Sequence, residues 1–402
     1  MGRYVPLEWQ VECSRQIDAQ SQNHRLKRLA AKNHYSPKHV RQLLRVCEDL
    51  KMEVIPLVQT FGHMEFVLKH EEFSYLRDVN NTPDSICPCH IDTMGMISEI
   101  IDQVMRLHKR ANYIHIGCDE VFHLGECSEC NENGGSKLYF NHVMNVAGYV
   151  KKKYNIKAII WDDMLRNLFL GELHLLSQFV EPMVWVYAEN VRSFVPLHVW
   201  SRYSIAFPFI WTASAFKGAH GESLVVPDVL RHLHNNLNWL TVMSQEHQKL
   251  QGGFRGLVLT GWQRYDHFAV LCELLPASIP SLFINLLATS HGFFNQTLVR
   301  PLLNELKCSH YVLLHEASLN LEVDRFLWEK LNWCSFPGAR YFKMTKLFIN
   351  IEKNVFKFLS KIEKRSGWLT SYNLRHNFSS PTKIQEVRVR KPRSGINIYV
   401  FT

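Results

Sequence analysis

The chain has 402 residues, of which 46% are hydrophobic and 21% charged, an ordinary balance for a globular protein and too rich in apolar residues for a disordered one. No run of 18 apolar residues occurs, which argues against a helical membrane span. The net charge of +9 sits at the two ends: 14 Lys/Arg against 3 Asp/Glu from Arg340 onward, and 7 against 3 in residues 1–40. The middle, 41–339, is therefore near −6, and the high pI carries no information about a substrate. The basic tail reads as a solvated helix face, with contact to a polyanion as the alternative; no nucleic-acid partner is expected.

Residues 1–33 are polar and lack the apolar core of a signal peptide, so the expected location is cytoplasmic or nuclear. The ten Cys are accordingly read as reduced thiols. Two pairs are closely spaced, Cys87-Pro-Cys89 and Cys127-Ser-Glu-Cys130. Free loop thiols are the expected reading, and a shared four-Cys zinc site is the alternative.

In chain order, residues 1–34 show little apolar periodicity and no strand. Ser36-Pro37 starts a helix, with Ser as cap and Pro in the first turn, followed by Val40, Leu43, Leu44 and Cys47 at helical spacing. Six apolar runs follow, at 53–59, 113–117, 158–161, 182–186, 205–211 and 256–260. Runs of this kind, rich in β-branched residues, read as parallel strands buried on both faces. Helical stretches such as 97–107 and 140–154 lie between them, so βαβ units are expected. Their spacing fits a (β/α)8 TIM-type barrel, although only six of its eight strands are visible. Beyond Arg300 the residues 302–321, 326–331 and 341–362 read as helices. The expected organisation is an atypical segment 1–34, a partial barrel 35–300, and a helical extension 301–402 with a basic tail that loses all pattern past Thr382.

Active sites of parallel barrels lie at the C-terminal ends of the strands. Here those ends read Gln59-Thr-Phe-Gly-His63, His115-Ile-Gly-Cys-Asp119-Glu120, Trp161-Asp162-Asp163, Trp185-Val-Tyr187 and Gly261-Trp262-Gln-Arg-Tyr265-Asp266. Aromatic walls above carboxylates suit a neutral, polyhydroxylated ligand such as a sugar. No Gly-rich phosphate loop precedes a helix, which disfavours nucleotide chemistry. The adjacent Asp119-Glu120 pair is the most informative feature. Two neighbouring carboxylates repel, so one is expected to keep a proton, as a general acid must.

His115-Ile-Gly117-Cys-Asp119-Glu120 resembles the His-x-Gly-x-Asp-Glu signature of glycoside hydrolase family 20, the β-N-acetylhexosaminidases. Phe61-Gly62-His63, Trp161-Asp162, the run 54–70 and residues 261–267 resemble further strand ends of that family, in particular its nucleocytoplasmic branch. The likeness covers about residues 35–298. It implies release of terminal β-linked N-acetylhexosamine from glycans by substrate-assisted retaining catalysis, a stated exception to the two-carboxylate scheme. It also implies no metal and no organic cofactor. By the same likeness Glu120 is the general acid/base, Asp119 steers the substrate acetamide, and His63 supports the acid. Trp161, Asp162, Trp185, Tyr187, Trp262 and Asp266 are then the expected substrate contacts.

The departure is at the start, where the family's first two strands find no counterpart in residues 1–34. A truncated form, inactive or unstable alone, or a sugar-binding pseudoenzyme is therefore the competing expectation. A homodimer is compatible with the sequence, and GalNAc versus GlcNAc preference is not legible in it.

Overall fold

Ser36 caps the first described helix, α1 (Pro37–Asp49), by accepting from the His39 N–H at 3.3 Å. The run 53–59 follows, yet it forms no full strand. Leu57 makes one parallel bridge to His115, with Val58 N donating to the His115 carbonyl and His115 N to that of Pro56, both at 2.8 Å. Pro56 has no N–H for a ladder, which limits the pairing. A short antiparallel hairpin comes next, β1 (Arg77–Val79) and β2 (Thr82–Ile86). Its sequence lacks the apolar alternation by which a half-buried strand shows itself.

The computed structural model describes residues 26, 28–32, 34–130, 135–265, 267–309, 312–313, 318–361, 372, 375 and 376. Two compact units are present, residues 1–342 and 343–402. The expectations for residues 1–25, for the tail past Thr382 and for Asp266 lie outside the described residues.

In the first unit, helix α2 (Thr93–Leu107) leads to β3 (Tyr113–His115), and α3 (Gly135–Tyr154) to β4 (Lys157–Trp161). Helix α4 (Leu170–Leu176) precedes β5 (Val180–Trp185), α5 (Leu197–Ala206) precedes β6 (Phe209–Lys217), and α6 (Val229–Glu246) precedes β7 (Gly253–Gly261). The sheet order is β3-β4-β5-β6-β7 and every neighbouring pair is parallel. This is an α/β arrangement of the TIM type. One expected run is corrected: Ile205 and Ala206 end α5 rather than open a strand, and Ile205 is 67% exposed where a central strand would bury it.

Alternate residues of each strand feed two cores, as a period of two requires. Ile114, Ile160, Val184 and Ile210 pack outward, in one cluster with Val104, Val146 and Trp239 of the helices. Ile159, Trp161, Met183, Trp211 and Val258 pack inward, with Leu57 and Tyr113 against them. Tyr113 on β3 meets Trp211 on β6 edge-on, ring centroids 5.5 Å apart. A flat sheet would hold those strands about 14 Å apart, so the sheet curls around its inner core. Below that core, Glu181 binds Arg255 through two hydrogen bonds of 2.7 and 3.0 Å and accepts the Trp211 indole N–H at 2.9 Å. The Arg255 guanidinium lies 3.5 Å from the Phe209 ring centroid. Glu181 is 2% exposed, so this pair closes the end of the sheet where the strands begin.

Helix α7 (Leu275–His291) ends at Gly292, and α8 (Val299–Glu305) is short. The single helix expected over 302–321 breaks at Leu306; Cys308 then bridges to Cys334 by backbone pairing and a disulfide. Residues 326–331 are mostly turns, with one 3-10 turn at Lys330–Trp333. The third expected helix is present as α9 (Ala339–Lys361). A second disulfide, Cys89–Cys130, joins two loops of the first unit. The expectation of thiols throughout is corrected at these four residues: each pair is brought together from distant sequence, which spacing alone does not show.

Candidate active site

The strand exits converge on one cavity of about 270 Å³, lined by the 53–59 run and the loop after it, by Trp161 of β4 and Trp185 of β5, and by the segments that follow β3, β5, β6 and β7. The exit of β3 is the most contorted. Gly117 (φ +69°), Cys118 (φ +69°) and Glu120 (φ +49°) are all left-handed. A left-handed non-glycine costs about 1–3 kcal/mol and persists only where neighbours enforce it. Gln59 is one such neighbour: its Oε1 accepts from Cys118 N at 3.2 Å and its Nε2 donates to Asp119 Oδ1 at 3.0 Å. A Cβ on Gly117 would collide with the Gln59 side chain, and one on Gly62 with the Asp119 carbonyl. Both glycines are there for close approach.

The turn aims two carboxylates at one imidazole. His63 Nε2 lies 3.2 Å from Glu120 Oε2 and 3.6 Å from Asp119 Oδ2. Burial pulls the His63 pKa down, but the Glu120 hydrogen bond and the charges of Asp119, Glu65 and Glu120 outweigh it and carry it up to about 9. His63 is then a cation at neutral pH. Burial also pushes Asp119 above the usual carboxylate range, against the pull of His63 and Gln59. Asp119 is 7% exposed, whereas Glu120 is part-exposed and reaches into the cavity. His63, Asp119 and Glu120 each have a ligand atom within 4.8 Å of the others, close enough to share a cation. A protonated His63 competes for that place.

Beneath them sits Asp163. Its Oδ2 accepts from Glu120 N at 2.9 Å and its Oδ1 from the Trp185 indole N–H at 3.0 Å. Burial and then the Asp119 charge drive its pKa up to about 7. Trp185 is thereby fixed as a wall of the cavity. Trp161 and Trp262 face each other across 6.0 Å between centroids, and Tyr187 lies 5.2 Å from Trp185 and 6.4 Å from Trp262. The buried indole N–H groups of Trp161 and Trp262 have no acceptor among the described residues. The cavity thus offers aromatic faces, spare donors and a compact charged floor, which suits a polyhydroxylated ring bearing an amide.

Glu120, Asp119, His63, Trp161, Trp185, Tyr187 and Trp262 therefore share one cavity, as expected. Asp162 does not, and its expected role as a substrate contact is corrected. It is fully buried and bound by Arg166 through hydrogen bonds of 2.7 and 2.9 Å. Trp185 N at 3.2 Å and the Tyr203 hydroxyl also donate to it, so no lone pair faces the cavity. Gln59 and Asp163 were not among the expected site residues. Both stand at strand ends, but a signal would have required knowing which backbone N–H groups they meet. Glu65, Arg264, Tyr265 and His267 also line the cavity.

Residues 10–195 match the family model "Glycosyl hydrolase family 20, catalytic domain". That match opens inside the segment 1–34 set apart above, so the likeness reaches further toward the N-terminus than the signature residues show. The chain is 37% identical over 375 residues to hexosaminidase D of Homo sapiens, covering 90% of this chain and 74% of that one. It is 41% identical over 279 residues to hexosaminidase D of Bos taurus, covering 67% and 80% respectively. Among solved structures, a β-N-acetylhexosaminidase from Bacteroides fragilis aligns with a TM-score of 0.48 at 17% identity, over 73% of this chain. This chain spans 58% of that protein's length. Identity of 37% over nine-tenths of the sequence is decisive: the chain belongs to glycosyl hydrolase family 20.

Proposed function

We propose that the chain is a glycosidase that hydrolyses terminal, non-reducing N-acetylhexosamine, β-linked GalNAc or GlcNAc, from glycans and glycoconjugates. The observation that carries this reading is the meeting of Asp119 and Glu120 on one histidine at the floor of an aromatic cavity. Glu120, the more exposed acid, protonates the departing glycosidic oxygen. The 2-acetamido oxygen of the substrate attacks the anomeric carbon and forms an oxazolinium ion, with inversion at that carbon. Glu120 then takes a proton from water, which opens the ring and restores the configuration. Asp119 accepts from the acetamide N–H and stabilises the positive charge that grows on it, in a site sheltered from solvent. His63 holds both carboxylates in register. Trp161, Trp185 and Trp262 enclose the ring and acetamide methyl, and the Tyr187 hydroxyl donates to the acetamide oxygen. The parallel sheet is read as the larger part of a (β/α)8 barrel, supported by its curl and sequential strand order.

Assay of the purified chain with nitrophenyl N-acetyl-β-galactosaminide and -glucosaminide tests the reading, with Glu120→Gln as control. Release of nitrophenol by the wild type, lost in the variant, is expected. An equal rate in the variant would overturn the assignment.

A further inference from the structure

Two cysteine loops lie beside the acid pair, and the proposed chemistry uses neither. One follows β2 and carries Cys87 and Cys89; the other starts seven residues past Glu120 and carries Cys127 and Cys130. Folding gathers their sulfurs into one cluster. Cys87 Sγ lies 2.9 Å from Cys127 Sγ and 3.8 Å from Cys130 Sγ, while Cys89 is joined to Cys130. Cys87 thus meets both cysteines of the opposite loop, and Cys89 joins the group through its bond to Cys130.

The surroundings are built for such a group. Cys87 and Cys130 are buried with Leu138, and Leu124 packs against them. Cys130 N donates to the Cys127 carbonyl at 3.1 Å, a tight turn that holds the two residues of this pair together. The backbone N–H groups of Cys89 and His90 donate toward the Cys87 sulfur. A carboxylate oxygen of Asp78, on β1, lies within 4.8 Å of the Cys87, Cys127 and Cys130 sulfurs. Asp78 is 3% exposed; its Oδ2 accepts from Glu126 N at 2.9 Å, and its Oδ1 has no partner among the described residues. A buried carboxylate oxygen without a donor is costly unless a cation lies near.

We propose that Cys87, Cys89, Cys127 and Cys130 bind one structural zinc ion as four thiolates. A tetrahedral ion with Zn–S bonds of about 2.3 Å places its sulfurs roughly 3.8 Å apart, the separation already found between Cys87 and Cys130. Thiolate ligands favour zinc over the hard cations, and zinc brings no redox chemistry of its own. A dithiol reductant first converts the Cys89–Cys130 disulfide to two thiols and is itself oxidised to a disulfide; binding then exchanges four thiol protons for the ion and moves no further electrons. The Cys89–Cys130 disulfide is the oxidised alternative for the same atoms, and it excludes the ion because a bonded sulfur has no thiolate to give. The ion would clamp the loop behind the hairpin to the loop that leaves Glu120.

The test is metal content of the full chain, purified with a thiol reductant and dialysed against zinc-free buffer. Inductively coupled plasma mass spectrometry should find about one zinc per chain, as a closed four-Cys site requires. Cys127→Ser combined with Cys130→Ser should abolish it, while Cys47→Ser, outside the cluster on α1, should leave it. If the double variant fails to fold, cadmium exchange into the wild type decides: a thiolate-to-metal absorption band of four-thiolate intensity supports the site, and a weaker band or none overturns it. Metal-free protein with a mapped Cys89–Cys130 disulfide, or zinc retained by the folded double variant, also overturns it. None of these readouts depends on glycosidase activity, so the proposed function stands or falls separately.

Discussion

Two strand exits of the sheet carry adjacent carboxylates, and folding uses them in opposite ways. After β3, Asp119 and Glu120 both face the cavity and share His63. After β4, Asp162 is sealed under Arg166, and Asp163 alone turns toward the site, beneath Glu120. The cause is local. Left-handed backbone at Cys118 and Glu120 overrides the alternation that would send neighbours to opposite sides, whereas Asp163 keeps an ordinary right-handed φ of −52°. Arg166 then stands one helical turn beyond Asp162 and reaches back to it.

The contrast can be broken by experiment. The largest effect should come from Glu120→Gln, which should lower turnover by about 10²–10⁴-fold, the usual worth of a general acid, a loss larger than the lost His63 contact can cost in melting temperature. Asp162→Asn should do the reverse and shift the melting temperature more than the rate. Next, Arg166→Met should cost roughly 3–5 kcal/mol in urea denaturation, because it leaves the Asp162 carboxylate buried without its partner. A loss under about 1 kcal/mol would show that Asp162 does not depend on Arg166. A smaller effect is expected from Asp163→Asn. It keeps an acceptor for Glu120 N or the Trp185 indole but not both, so kcat should fall about tenfold, the loss of roughly 1.4 kcal/mol of positioning.

The mildest prediction sharpens the electrostatic side. Asp163 has a folded pKa of about 7 and His63 of about 9, both above their unfolded values. A raised folded pKa means that the folded chain holds its proton more tightly. The stabilisation is therefore complete below the unfolded pKa and fades as pH rises through the folded one. In denaturation curves from pH 4 to pH 10, taken as wild type minus variant, the Asp163 contribution should be gone by about pH 7 and the His63 contribution by about pH 9, on a background that rises with pH below about pH 6.5 because burial holds His115, His142 and His232 neutral. Asp163→Asn should erase the first contribution and His63→Gln the second. A flat difference between wild type and Asp163→Asn, or between wild type and His63→Gln, would mean that the group removed is not perturbed.

Much of this was legible in the residues. Ser36-Pro37 announced α1 because a cap and a first-turn proline act over four residues. The runs at 113–117 and 158–161 announced β3 and β4 because both faces of the strands are buried. Asp119, Glu120, His63 and the tryptophans were legible because strand ends in a parallel sheet must converge. What stayed hidden depends on partners far along the chain. Gln59 matters through Asp119 and Cys118, some sixty residues away. Asp162 is removed from the cavity by its neighbour Arg166 and by Tyr203. Pro56 gives the 53–59 run a single bridge, and the hairpin of β1 and β2 has no alternation to display. The helix expected over 302–321 ends early at Leu306, with Cys308 then tied to Cys334 by the disulfide.

The Glu181–Arg255 pair has a consequence for how a polymer is handled. It stoppers the sheet below Trp211, so the cup above is blind. A glycan cannot be threaded through it like a rope through a ring. On the proposed function, a sugar that enters at the strand exits meets this plug at the far end of the sheet and leaves by the mouth it came through.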